Sequence, residues 1–247
     1  MEVLSELTNN VLVLTLNRPE AGNALNGALS AALSEQLESA SSNPDVRAVV
    51  LTGAGEKIFC AGMDLKAFAA GEDLGRIGLG FVALRSFKKP IIAAVNGHAL
   101  AGGFEVVMAC DLVVAVETAR FGIPEVKRGL FAAGGGVRLP ARIPLTIALE
   151  MGLTGDPIDA TRAATLGLVN QVVPAAELMT AALALAGRVT ANGPLAVQAT
   201  KQLMLDEVGG GNPSLLAELQ QQVFGSEDAR EGAMAFAQKR PPEWKGR

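Results

Sequence analysis

Short branched apolar runs alternate along this chain with longer stretches in which apolar residues recur at helical spacing. Val11–Leu16 is rich in β-formers and ends at the turn signal Asn17-Arg18-Pro19. Leu29, Leu33 and Leu37 then recur every fourth position behind a capping Asn26, which predicts a helix that Asn43-Pro44-Asp45 stops. Residues 46–52 read as the next strand, broken by Gly53-Ala54-Gly55, and residues 65–70 as the start of a helix. The segment 71–84 is Gly-rich and weakly periodic, so it is expected to be partly irregular. Ile91–Val95 and Leu112–Val116 have the composition of buried strands. Helices are expected over 144–151 and 160–166, the second closed by Gly167, ahead of a short strand over 169–173. From Ala175 onward the pattern is helical: Leu178, Ala182, Leu185 and Val189 share one face, while Pro194, Pro213 and Ser226 open three further helices. Strands joined by helices and followed by a helical tail imply an α/β core over residues 1–190 and a helical region over 191–247.

One stretch carries chemistry as well as pattern. The strand Ile91–Val95 leads through small residues and Gly102-Gly103 into a segment that is apolar on every side except at Glu105. A glycine pair opening a helix presents unpaired N–H groups, reinforced by the helix dipole, to any nearby negative charge. Glu105 lies among Phe104, Val106, Val107 and Met108, where ionisation is costly and its pKa is expected to rise. Glu125 follows a second Gly-containing turn, Phe121-Gly122-Ile123-Pro124, and Ala61-Gly62 offers another place where a ligand oxygen can approach main-chain N–H groups. Taken singly, each feature also suits ordinary structure: a satisfied core carboxylate, a tight turn. Together they are the equipment for acid–base chemistry beside a carbonyl.

Composition narrows the classes. With 247 residues, 49% hydrophobic and 19% charged, the chain can bury a substantial core as one large or two small domains. A net charge of −4, no Tyr and a single Trp argue against a nucleic-acid partner. Cys60 and Cys110 sit in apolar surroundings and His98 is the only histidine, so neither a disulfide framework nor a metal site is expected. His98 reads as structural or pocket-lining, and Lys88-Lys89 as a solvated turn. No apolar run reaches membrane-spanning length, and the acidic N-terminus enters a strand-like run at once, so a soluble cytoplasmic protein is expected. Neither Gly53-Ala54-Gly55 nor Gly78-Leu79-Gly80 completes a phosphate-binding fingerprint, and there is no Gly-x-Ser-x-Gly elbow.

Asn17-Arg18-Pro19, Asn23-Ala24-Leu25, Phe59-Cys60-Ala61-Gly62-Met63-Asp64-Leu65, Gly97-His98-Ala99-Leu100-Ala101-Gly102-Gly103-Phe104-Glu105, Phe121-Gly122-Ile123-Pro124-Glu125 and the tail Glu231 to Arg240 together resemble the enoyl-CoA hydratase (crotonase) family. The resemblance implies a spiral of β-β-α units in two sheet layers, then helices that build homotrimers, paired as hexamers. It implies Glu105 and Glu125 as catalytic carboxylates and the N–H groups of Ala61 and Gly102 as an oxyanion hole for a thioester carbonyl. Ala61, Gly62, Met63 and Asp64 would line the thioester and pantetheine path, with Asn23, Ala24 and Leu25 near the CoA. Phe236 and Lys239 match tail residues that reach CoA from a neighbouring subunit. The implied substrate is an acyl-CoA thioester, with coenzyme A as part of the substrate and no other cofactor. The implied reaction is hydration of a 2-enoyl-CoA. An isomerase, a specialised dehydratase or racemase, and a non-catalytic acyl-CoA- or RNA-binding protein remain open on the same scaffold. The chain departs from the family pattern at Ala101, where Gly is common, and over residues 129–136, where a Pro-Gly-containing loop is usual. Residues 68–87 and the Phe131 loop are expected to wall the acyl group.

Overall fold

The computed structural model describes residues 1–247, Leu74 through its backbone alone. Asn9 and Asn10 both take positive φ (51° and 63°), a turn geometry that Asn tolerates, and fold β1 (Val3–Thr8) antiparallel onto β2 (Val11–Leu16). From β2 the sheet continues in parallel through β3 (Ala48–Gly53), β5 (Ile91–Val95), β7 (Leu112–Val116) and β10 (Gln171–Val173). Every residue of β3 and β5 is buried, as parallel strands covered on both faces require. A second sheet contains β4 (Ile58–Cys60), β6 (His98–Leu100), β8 (Arg120–Gly122) and β9 (Ile158–Asp159).

The two sheets are filled alternately. β3 and β4, β5 and β6, and β7 and β8 are successive pairs, the first strand of each in the large sheet and the second in the small one. Helical segments follow each pair: α2 (Leu65–Ala69) and α3 (Leu74–Ser86), then α4 (Gly102–Ala109), then a 3-10 turn over Pro124–Arg128 that leads towards α5 (Leu145–Thr154). This is the spiral β-β-α repeat that the family resemblance implies, and it brings the ends of β4, β6 and β8 to one place.

α1 (Gly27–Ser42) forms where expected: the Asn26 side chain accepts from Leu29 N–H at 2.9 Å, and Leu29, Leu33 and Leu37 are buried. The segment 71–84 departs from expectation. It is helical from Leu74, because Asp73 caps Gly75 N–H at 2.9 Å and Ile77 and Leu84 are buried on one face. Gly75, Gly78 and Gly80 hide this helix in the sequence, each lowering helix propensity by about 1 kcal/mol relative to Ala. Gly80 faces α1, where a Cβ would stand 3.4 Å from Leu33, at the near edge of ordinary contact.

α6 (Ala160–Thr165) precedes Gly167, which takes a left-handed φ of 79°. α7 (Leu178–Thr190) covers the large sheet through buried Leu178, Ala182 and Ala186, with Leu185 and Val189 half-buried beside them. Three helices follow: α8 (Pro194–Val208), α9 (Pro213–Phe224) and α10 (Glu227–Gln238). Lys201 of α8 pairs with Asp111 at 2.7 Å and donates to the Lys89 carbonyl at 3.0 Å, fastening this helix to the core. Trp244 folds the tail back, its indole N–H donating to the Ala191 carbonyl at 2.8 Å. Among the described residues no helix is long and apolar enough to cross a membrane.

Candidate active site

One half of the site is main chain held by buried staples. Asn23, fully buried at φ 52°, donates its side-chain amide to the carbonyls of Ala54, Ile58 and Phe59 at 2.9, 3.0 and 3.1 Å. Its Oδ1 accepts from Arg18 N–H at 3.0 Å. A short ladder then forms beyond β4: Ala61 N–H donates to the Gly22 carbonyl (2.9 Å), Leu25 N–H to Gly62 (2.7 Å) and Asp64 N–H to Leu25 (2.9 Å). Arg18 clamps the ladder, with Nη1 and Nη2 each 3.1 Å from Asp64 Oδ2 and Nη1 also 2.7 Å from the Ala24 carbonyl. Burial works to raise the Asp64 pKa, but the N–H groups of Ala67 and Lys66 and the Arg18 guanidinium outweigh it and hold the carboxyl below its ordinary value.

This geometry corrects one sequence expectation. Ala61 N–H is engaged with Gly22 and is not free for a ligand. Gly62 N–H turns to the sulfur of Cys60, whose thiol burial pushes up to about 12. Met63 N–H has no acceptor among the described residues, and it faces Gly102: a Cβ at Gly102 would meet Phe81 Cζ at 3.3 Å and Met63 N at 3.4 Å. Gly102 begins α4, so its own N–H is one of the helix's unpaired donors. Met63 and Gly102 are therefore a pair of adjacent N–H donors left without a protein acceptor among the described residues. Asn23, expected near the CoA, has its side chain wholly engaged with the protein backbone. Ala24 and Leu25, with their carbonyls inside the same ladder, are likewise buried.

Ala101, which departs from the family pattern, sits at φ 51° and ψ −129°, a region a side chain rarely adopts. Three hydrogen bonds hold it there: its N–H donates to Gly122 (2.9 Å), and its carbonyl accepts from Phe104 (2.9 Å) and Glu105 (3.1 Å). Gly62 is the matching piece, since a Cβ on it would come 2.7 Å from the Ala101 Cβ.

The other half is the carboxylate pair. Glu105, in the first turn of α4, is 4% exposed, so almost nothing but protein decides its protonation. Burial raises its pKa, while N–H groups of Gly136, Gly135 and Gly134 and the Arg85 guanidinium pull it back without reversing the shift. The Gly136 N–H lies 2.7 Å from Glu105 Oε1, and a Cβ at Gly134 or Gly136 would collide with the carboxylate or with Ala132. The unusual 129–136 loop is thus a main-chain clamp on Glu105. Glu125, on the 3-10 turn after β8, is half-buried, with Oε2 buried and unpartnered among the described residues. Burial raises its pKa, its own N–H lowers it, and the charge of Glu105 raises it further. The two carboxyl groups are close enough to be electrostatically coupled.

Phe81 stands beside the Gly102 donor, within the stretch 68–87 expected as the acyl wall; the Leu74 side chain lies outside the described residues. Phe131, on the 129–136 loop, is 70% exposed. Phe236, 87% exposed, lies on α10, which packs against α9, and Lys239 is the left-handed cap that ends this helix. Sequence reasoning missed the clamp and Arg85, although three consecutive glycines after an apolar loop were a signal for close main-chain approach.

A model of the enoyl-CoA hydratase/isomerase family matches residues 6–247. The chain belongs to that family. It is 42% identical over 251 residues to a carnitinyl-CoA dehydratase of Proteus mirabilis, with 96% of each chain covered. A solved enoyl-CoA hydratase from Mycobacterium tuberculosis is 50% identical with a TM-score of 0.93, over 100% of this chain and 99% of that one. A carnitinyl-CoA hydratase from Mycobacterium avium is 47% identical with a TM-score of 0.80, over 100% and 99%. As an enoyl-CoA hydratase/isomerase family enzyme, the chain carries the family's α/β spiral throughout.

Proposed function

We propose that the chain is an enoyl-CoA hydratase, adding water across the 2,3 double bond of a 2-enoyl-CoA to give a 3-hydroxyacyl-CoA. The observation that carries this is the asymmetry of the carboxylate pair: Glu105 has its oxygens held by N–H donors, whereas Glu125 keeps a buried oxygen without a partner. Donors to oxygen favour the ionised form of Glu105; a buried unpartnered oxygen beside a negative charge favours the protonated form of Glu125. Base and acid are then already assigned.

The thioester carbonyl lies against the N–H groups of Met63 and Gly102, so charge developing on its oxygen is stabilised and C3 becomes electrophilic. Glu105 takes a proton from water as the water oxygen bonds to C3. The C2–C3 π electrons move towards the carbonyl as an enolate, and Glu125 delivers its proton to C2. The reverse sequence is dehydration. The names of the carnitinyl-CoA relatives favour, as the second reading, a specialised 3-hydroxyacyl-CoA dehydratase working through the same two groups. Isomerisation needs one carboxylate and leaves the Glu105 clamp without a purpose. The acidic net charge of −4 counts against RNA binding. Coenzyme A enters as part of the substrate, and a homotrimer, paired as a hexamer, would let the exposed Phe236 and Lys239 reach a neighbour's CoA.

The test is loss of the conjugated enoyl-thioester absorbance on a short 2-enoyl-CoA. Glu105→Gln and Glu125→Gln should each lower kcat by about 10³-fold with the fold intact by circular dichroism. Full activity in either variant rules out the two-carboxylate mechanism.

A further inference from the structure

Beside the reacting carbons the site holds two guanidiniums that no side chain pairs among the described residues. Arg85 lies one helical turn past Phe81 on α3, so both point to the same side of that helix. Phe81 marks the Gly102 donor; Arg85 reaches further, and its Nη2 lies against Gly135 of the Glu105 clamp. Arg138 stands on the turn directly after that clamp, with its main-chain N–H bound to the Gly135 carbonyl at 2.9 Å. Both arginines are exposed, and neither forms an ion pair or a side-chain hydrogen bond among the described residues. Two guanidiniums held beside one loop without an anion between them repel each other. Burial and the Arg138 charge both lower the proton affinity of Arg85, and only Glu105 opposes them. Glu105 is already clamped by main-chain N–H groups, so it is not the missing anion.

We propose that Arg85 and Arg138 form a seat for an anionic oxygen group at the far end of the acyl chain, making the preferred substrate a 2-enoyl-CoA that ends in a carboxylate. This rests on the enoyl-thioester function proposed for the site. That function places the thioester oxygen at Met63 and Gly102 and C2 and C3 at the glutamates. The arginines therefore meet the acyl carbons beyond C3, not the thioester end from which CoA departs. A planar guanidinium pairs a carboxylate through two parallel hydrogen bonds, and two of them can hold it from both sides. The same seat disfavours an acyl group ending in a quaternary ammonium, as the carnitinyl group does. On this basis the chain differs in substrate from the relatives that bear the carnitinyl name.

Initial rates on three matched thioesters test the idea: 2-hexenoyl-CoA, 2-hexenedioyl-CoA and a trimethylammonium-ended counterpart. The carboxylate-ended substrate should exceed the neutral one in kcat/KM by about tenfold, and the cationic one should fall about tenfold below it. Arg85→Gln and Arg138→Gln should each shrink the carboxylate preference at least about fivefold, mainly through KM, and Arg85→Lys should keep part of it. Equal use of charged and neutral chains overturns the proposal. So do variants that raise KM equally for all three, which assigns the arginines to CoA phosphates, or that lower kcat equally, which assigns them to tuning Glu105. If the neutral substrate is turned over without the charge ranking, this inference alone is lost. No turnover on any of the three removes the enoyl-thioester function as well.

Discussion

The two halves of the site are built on opposite terms. Around Met63 every polar group of Asn23, Arg18 and Asp64 is tied to another part of the chain, and Asn23 and Leu25 are sealed from solvent. Around Glu125 and the arginines, polar groups remain unmatched: Glu125 Oε2, Arg85 and Arg138 have no partner among the described residues, and Phe131 stands in solvent. Under the proposed function, the first half would meet the thioester carbonyl, common to all acyl-CoA thioesters, and can be rigid. In the second, Glu125 would meet C2 and the arginines the variable end of the acyl chain, so its unmatched groups would be matched by substrate. Rigid main chain would then serve the shared chemistry, and the open arginines selection.

The strongest way to break this contrast is to loosen the sealed half. Asn23→Ala leaves three backbone carbonyls without their donor and should cost about 3 kcal/mol in urea unfolding. A loss under about 1 kcal/mol would mean that the ladder stands without its staple. Asp64→Asn comes next. Weakening the Arg18 fork should lower kcat about tenfold through the Met63 donor, with stability falling by about 1 kcal/mol. Unchanged kcat would show that the donor pair is not held by this clamp. Ala101→Gly should act in the other direction. Relief of an unfavourable φ of 51° outweighs the added freedom of the unfolded chain, for a net gain of about 1 kcal/mol in thermal unfolding. A loss would show that the alanine methyl packs better than it strains.

The smallest effect belongs to the open half. Glu125 has a folded pKa raised by burial and by Glu105, so the stability it contributes is full below the ordinary carboxylate pKa and is lost as pH rises through the raised one. Glu125→Gln stays neutral throughout. Its melting temperature should match the wild type at about pH 4 and exceed it at about pH 8, and equal values at both would deny the raised pKa. The same shifts predict that kcat/KM rises as Glu105 ionises and falls as Glu125 loses its proton, both above the normal carboxylate range.

How much of this was legible depends on whether a feature is local. The strands β2, β3, β5 and β7 announce themselves as branched runs, and α1 by its cap and leucine spacing. Glu105 is visible as one carboxylate in an apolar helix. α3 is not visible, because Gly75, Gly78 and Gly80 oppose a helix that tertiary packing against α1 restores. The free donor could not be read at all. Whether Ala61 or Met63 keeps its N–H depends on the ladder with residues 22–25, a pairing no window of sequence contains. The stapling role of Asn23 was hidden for the same reason, since its three carbonyl partners lie over thirty residues away. The clamp on Glu105 is a property of loop path, with glycines the only trace of it.

The contacts that assemble this site join distant stretches of chain: Arg18 to Asp64 across 46 residues, Asn23 to Phe59 across 36, and Gly136 to Glu105 across 31. In folding terms, loop closure must be completed before any of them forms, so local helix formation brings the chain no nearer to activity. A nascent or partly unfolded molecule has the carboxylates but not the paired N–H donors, so under the proposed function it could not polarise a thioester. Reactivity would then be confined to the finished fold.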